Sequence, residues 1–293
     1  MDDFFDGDLH AGISNIVLEP DAFDLGEGVT IRKTYAHLMA HFVMSFSSPP
    51  PSSFHPAPWK AAQGTAGFAA DITADLCIPS DREKRFSIAQ TIAFMLRLGI
   101  NPAAVIAAVA NHPFTSLKSV PDNEAIIIPI ETLPRRFPLS SENDVATVES
   151  LEWIKGYWAS THALIQRHPE FALAAAAVST GQFVHNAALI LVSLWAALEA
   201  LFSPSTAELK FRVSALIASY LEPPGEERHT LQRRVAKLYD KRSSAAHGQP
   251  SFRAQDILDT FNLLRRVITS IIENRHVPTK DELEKRLFGC STG

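Results

Sequence analysis

The segment FVHNAALILVSLWAALEALF, Phe183–Phe202, is 20 residues long and mostly apolar, so it is either a membrane span or a buried helix. A span needs about 20 residues without ionisable groups. This one carries His185, Asn186 and Glu199, and its stretch free of ionisable and amide groups, Ala187–Leu198, has only 12 residues. It reads as the core helix of a soluble domain, and its surroundings agree. Upstream, Ser141 is placed to cap a helix with Val148, Leu151, Ile154 and Trp158 at helical spacing, interrupted by Pro169. Downstream, helices are expected over about 207–221, from about Glu227 to a stop at Gly248 and Pro250, and over about 253–275, where Ile257, Phe261, Leu264, Ile268 and Ile271 make a stripe. A short last helix opens with Thr279 and Glu282 as a capping box. A helical bundle is the economical architecture for residues 141–293.

The first 140 residues read differently. Short β-prone runs, Gly28–Lys33, His41–Phe46 and Ala125–Ile130, lie between proline and glycine clusters. Helices are predicted over Arg82–Leu98 and over Asn101–Asn111, the latter with Pro102 in its first turn. Ser47–Pro58, SSPPPSSFHPAP, is a loop, and Trp59–Phe68, WKAAQGTAGF, reads as an exposed binding loop. The chain is therefore α+β overall, an N-terminal mixed region of 1–140 followed by an all-α region of 141–293.

Composition limits what such a chain does. It has 293 residues, 27 Lys plus Arg against 32 Asp plus Glu, and a formal charge of -5. That balance gives no global attraction to phosphates and no prediction of DNA binding. The charge is uneven: Met1–Pro204 carries a net of -9 and Ser205–Gly293 a net of +4. Any anion site is therefore local and sits in the last third. The two cysteines, Cys77 and Cys290, are too far apart in sequence to suggest a disulfide framework or a metal cluster. A reducing, cytoplasmic setting is expected, since the N-terminal MDDFFDGDLH has no secretory pattern. Phosphate-loop, nucleophile-elbow, zincin and CxxC signatures are absent. His37 and His41, four apart, read as surface or core histidines, and no metal or cofactor is expected.

What remains is LYDKRSSAAHG, Leu238–Gly248, where His247 follows Arg242 by five positions. Arginine supplies a permanent cation whose planar fork fits phosphate oxygens, and histidine exchanges a proton near neutral pH. Together they are a minimal kit for cleaving RNA without a metal, by stabilising charge on the phosphate and moving a proton. The spacing alone carries little weight, because Arg32 and His37 repeat it. Context singles out the second pair: Arg233, Arg234, Lys237 and Lys241 form a basic flank, opposed by Asp240 alone. Arg242 lies four residues after Leu238 and seven after Val235, so it continues the apolar face and needs an anion or a carboxylate there. His247, just before Gly248, falls at a helix C-terminus that favours its protonated form. On a straight helix the two side chains diverge by about 140°. Either the helix frays between them or a dimer supplies the two groups from different copies.

These residues resemble the Apea-like branch of the HEPN superfamily. The resemblance covers about residues 145–280. It rests on an apolar helix with Trp195 and Glu199 (W-x-x-x-E), then LKFRVSALIASYL, a loop, and the R-x(4-6)-H motif with Ser243 after the arginine and Gly248 after the histidine. The resemblance implies a dimeric helical bundle and a metal-independent endoribonuclease that leaves a 2',3'-cyclic phosphate, often in toxin or anti-phage defence systems. It assigns Arg242 to the scissile phosphate and His247 to proton transfer. Ser243 takes a usual polar position, and Glu199 orients Arg242. Arg233, Arg234, Lys237 and Lys241 would then hold RNA. The implied partners are an RNA substrate and a second copy of the chain, with no cofactor and no membrane. Two readings stay open: this nuclease, or a non-catalytic module in which the bundle holds a nucleotide, RNA or a partner protein. In the latter, Arg242 simply pairs with Glu199.

Overall fold

The computed structural model describes residues 7–46, 59–121, 124–133, 144–184, 186–202, 209–246 and 253–289. An antiparallel N-terminal sheet precedes a helical region. Six strands lie in the order β3 (Ala22–Gly26), β4 (Val29–Phe46), β5 (Trp59–Ile78), β1 (Leu9–Ser14), β6 (Val105–Ala110) and β7 (Ile127–Pro129). β1 is buried at every position and pairs with β5 on one side and β6 on the other. Leu9, Ala11 and Ile13 join the main core with residues of helix α1 (Arg85–Gly99). The alternate positions His10, Gly12 and Ser14 take the opposite face, as the two-residue period of a strand requires.

That second face is closed by Phe114, which packs with Ile72, Ala108 and Ala110. A Cβ on Gly12 would meet Ile72 Cδ1 and come within 2.8 Å of the Phe114 ring, so glycine is needed there for close approach. Two polar side chains are buried beside it and satisfy each other. His10 Nδ1 lies 3.0 Å from Asp75 Oδ1, and Asp75 Oδ2 also accepts from the Phe114 backbone N–H at 3.2 Å. Burial opposes a charge on His10, yet hydrogen bonds to Asp75 and Cys77 outweigh it and raise the imidazole pKa to about 9. α1 is anchored by buried Arg97, whose Nε donates to Ala104 O at 2.8 Å and whose guanidinium pairs with Glu131.

Several expectations for this half are corrected. Asn101–Asn111 is not a helix: Val105–Ala110, VIAAVA, is a fully buried strand, and a short apolar run has no periodicity that separates the two states. Trp59–Phe68 is not a loop but the first half of β5, paired with Ala40–Phe46 at the end of β4. His41–Phe46 and Gly28–Lys33 fall largely within one strand, β4, rather than two. Hence His37 and His41 do not share a helix; His37 Nδ1 instead meets Asp71 at 2.8 Å across the ladder. The proline-rich Ser47–Pro58 lies outside the described residues.

The helical region follows its sequence pattern more closely. α2 (Val148–Arg167) starts at Thr147, whose hydroxyl accepts from Ser150 N at 3.2 Å; Ser141 lies outside the described residues. α3 (Pro169–Thr180) begins on the proline, and α4 (Ala187–Phe202), α5 (Leu209–Leu221), α6 (Glu226–Ala246), α7 (Ala254–Asn274) and α8 (Lys280–Leu287) follow. α4 has 16 residues and buries Ile190, Leu191, Leu194, Trp195, Leu198 and Phe202. No described helix is long and apolar enough to cross a membrane. The core is continuous from Leu9 to Leu283. It is stitched across the 140/141 boundary by the parallel pair β2 (Val17–Leu18) and β8 (Val145–Ala146), and by Trp158 Nε1 donating to Leu25 O at 2.9 Å.

Two predictions follow from this packing. Gly12→Ala is expected to destabilise the protein by about 1–3 kcal/mol, read by chemical denaturation, because the added methyl overpacks the β1–Phe114 contact. At α8 the Thr279 hydroxyl accepts from Glu282 N at 3.3 Å, and Glu282 Oε2 accepts from Thr279 N at 2.7 Å and meets His276 Nε2 at 2.8 Å. The hydrogen bond to His276, then that from Thr279, lowers the Glu282 pKa from 4.5 to about 2. The folded carboxylate therefore holds its proton less tightly than the unfolded one. Its stabilisation is present above 4.5 and is lost as pH falls towards 2. Glu282→Gln, which keeps the capping box, should cost about 0.5–1 kcal/mol near neutrality. Thermal melts across that acidic range should show the difference from the unsubstituted chain closing.

Candidate functional site

Helices α4 and α6 run parallel in contact, because their close pairs advance together: Trp195 with Tyr239, then Glu199 with Arg242. On α6 the apolar stripe of Val235, Leu238 and Tyr239 is buried, and Arg242 is the next residue along it. The expectation that an inner-face arginine finds a carboxylate is met by Glu199. Arg242 Nη2 donates to Glu199 Oε2 at 3.2 Å and lies 3.1 Å from Oε1; the two side chains are 26% and 18% exposed. The guanidinium carbon sits 5.6 Å from the centre of the Tyr239 ring, which meets Trp195 edge to face at 5.1 Å. Burial, and then the Glu199 charge, push the Tyr239 hydroxyl pKa up against the opposing pull of Arg242.

This small polar cluster is not saturated. Trp195 Nε1, Glu199 Oε1 and Arg242 Nε are buried atoms without a hydrogen-bond partner among the described residues. Unmet polar capacity of this kind is uncommon in protein interiors, although Ser14, Thr34 and Thr161 elsewhere in this protein share it. Arg242 therefore combines a fixed carboxylate partner with an unused N–H. That arrangement holds the guanidinium in one orientation, with the unpartnered Nε itself buried.

The remaining expected residues are distributed unevenly. Ser243 follows Arg242 on α6 and is partly buried. Arg233 and Lys237 are exposed on α6, whereas Arg234 is drawn 3.2 Å from Asp259 of α7, and Lys241 is partly buried. Asp240, the acid within the basic flank, is held by Lys210 of α5 at 2.7 Å. The four basic residues thus do not form one uniform surface. α6 remains helical through Ala246, so the chain does not fray over the four residues after Arg242; His247 lies outside the described residues. The other Arg-His spacing is in strand β4, with Arg32 opposite Asp75 in register and His37 bound to Asp71.

Sequence reasoning missed a second grouping, in which donor atoms of Asp8, His10 and Cys77 all lie within 4.8 Å of one another. Its signal was present as two copies of an alternating pattern, Asp8-Leu9-His10 and Asp75-Leu76-Cys77. It stays silent until both are known to be neighbouring strands. Distance between the two cysteines was the wrong measure for Cys77, whose neighbours come from β1 and the residues before it.

Comparison with protein-family models, with curated proteins and with solved structures finds no match for this chain. The Glu199–Arg242 pair is open to direct measurement. In a double-mutant cycle of Glu199→Gln and Arg242→Gln, denaturant unfolding should give a coupling energy of about 1 kcal/mol, because the pair is neither fully exposed nor fully desolvated.

Proposed function

We propose that the chain is a metal-independent endoribonuclease of HEPN type. The observation that carries this reading is the Glu199–Arg242 pair on the parallel helices α4 and α6, with Arg242 Nε unpartnered and His247 five positions further along the sequence. In the proposed reaction Arg242 neutralises the scissile phosphate as the ribose 2'-oxygen attacks phosphorus and the bond to the 5'-oxygen breaks. His247 moves the proton, Glu199 orients Arg242, and Ser243 lies beside the phosphate. The products are a 2',3'-cyclic phosphate and a 5'-hydroxyl. A second copy of the chain brings its own Arg-His pair to a shared cleft, and Arg233 and Lys237 guide RNA towards it. The role belongs with toxin or anti-phage defence enzymes.

One observation favours a second reading. The Arg242 charge is already met by Glu199, which is what a non-catalytic bundle holding a nucleotide, RNA or a partner protein would also need. Labelled RNA incubated with the full chain in excess EDTA separates the two. The nuclease reading expects cyclic-phosphate ends, reduced about 100-fold or more by Arg242→Ala and by His247→Ala in folded protein. Undiminished cleavage in His247→Ala overturns the assignment. Binding without cleavage, lost on charge reversal of Arg233 and Lys237, establishes the second reading instead.

A further inference from the structure

The N-terminal sheet carries a cluster that the proposed RNA chemistry does not use. Strands β1 and β5 pair antiparallel with His10 directly opposite Cys77, so the two side chains share a face. Asp8 precedes His10 by two residues and Asp75 precedes Cys77 by two, which brings all four to that face. Leu9 and Leu76, between them, turn into the core. The grouping is thus enforced by the sheet and does not depend on the packing of flexible side chains.

Two of the side chains have their outer atoms tied down. His10 Nδ1 is held by the buried Asp75 carboxylate at 3.0 Å, leaving Nε2 as its remaining ring nitrogen. Asp8 Oδ1 accepts from Ser80 N at 2.9 Å, and Asp8 Oδ2 lies 3.9 Å from Cys77 Sγ. A histidine oriented by a carboxylate through one nitrogen is the usual support for a metal ligand, and the imidazole of His10 already meets Cys77, the next proposed ligand. Asp8 is exposed, Cys77 partly buried and His10 buried, so the cluster opens to solvent on one side.

We propose that Asp8, His10 and Cys77 bind a single Zn2+ ion through one carboxylate oxygen, one imidazole nitrogen and one thiolate, with Asp75 as the positioning residue behind His10. In a tetrahedral zinc site, bond lengths of about 2.0–2.3 Å set donors about 3.3–3.8 Å apart. The present donors, all within 4.8 Å of one another, reach that geometry by small side-chain movements. The donor set selects the metal: Mg2+ and Ca2+ require oxygen ligands, whereas thiolate with imidazole suits Zn2+. The two anionic ligands balance the charge of the ion. Three protein ligands leave a coordination position for water or a substrate group, the arrangement of zinc sites that do chemistry.

The site is independent of Arg242, and its test does not read RNA cleavage. Protein in a Cys290→Ser background, which leaves Cys77 as the one thiol, is titrated with Co2+ at mildly alkaline pH, because binding must displace the imidazole proton that Asp75 and Cys77 hold on His10. The expected result is saturation at one Co2+ per chain with a thiolate-to-metal charge-transfer absorption, reversed by stoichiometric Zn2+. Cys77→Ser should abolish that absorption. Asp75→Asn should weaken binding by about 10–100-fold while keeping it. Because His10 and Asp75 are buried, circular dichroism checks each variant, and alkylation of Cys77 in the otherwise unchanged protein gives a second route to the same loss. Absence of saturable uptake by the folded chain overturns the proposal, as does charge-transfer absorption that survives in Cys77→Ser.

Discussion

The element on which the rest of the molecule depends is β1, a six-residue strand buried on both faces and paired on both edges. A central strand gives its polar side chains little access to solvent, so an unmatched polar group there is costly; on β1 the Ser14 hydroxyl is such a group among the described residues, whereas His10 is matched. His10 meets that demand through Asp75, and Gly12 meets the steric version of it by leaving room for Phe114. The same constraint fixes register. A slip of one residue would carry Leu9, Ala11 and Ile13 away from α1 and send His10 into the main core. Since Asp8 and His10 lie opposite β5 in this register alone, the polar cluster with Cys77 is a consequence of how the sheet is held together.

The helices meet a related constraint at a different place. α4 is so apolar that its burial needs no special explanation, and Glu199 near its C-terminal end is the exception. A carboxylate placed among Leu198, Leu201 and Phe202 requires a cation, and Arg242 is the cation on the parallel neighbour. The pair neutralises two charges that a purely apolar contact would not contain, and it leaves Arg242 Nε and Glu199 Oε1 without hydrogen bonds among the described residues. Replacing such a pair by apolar residues is often neutral or better for stability, so stability alone is a weak reason for its presence.

The two sites differ in how far each was legible from the residues. Arg242 could be read because helical spacing places it on the stripe of Val235 and Leu238, and α6 forms as that stripe requires. Glu199 could be paired with it only through the resemblance, since nothing local says which turn of α4 faces which turn of α6. The basic flank is divided by tertiary contacts. Spacing puts Arg234 beside Arg233, but Asp259, 25 positions along the chain and on another helix, draws Arg234 aside. Trp59–Phe68 and Val105–Ala110 were misread for the same reason: their strand state comes from partners, β4 in one case and β1 with β7 in the other.

By itself the sequence determined most of the helical half, with its stripes, the break at Pro169 and its Thr279/Glu282 cap, but not that a separate helix, α3, begins on that proline. It determined as well that an arginine would face inward on α6. These are contacts made within a few residues, where spacing dictates direction. Only the tertiary structure decided that β1 is central, that Asp8-Leu9-His10 lies alongside Asp75-Leu76-Cys77, and that the core runs unbroken between the two halves. Pairing of β1 with β5 joins residues 61 to 69 positions apart, from Ile13 with Ala74 to Leu9 with Ile78, through backbone groups that are alike at every position, so no local pattern names the partner.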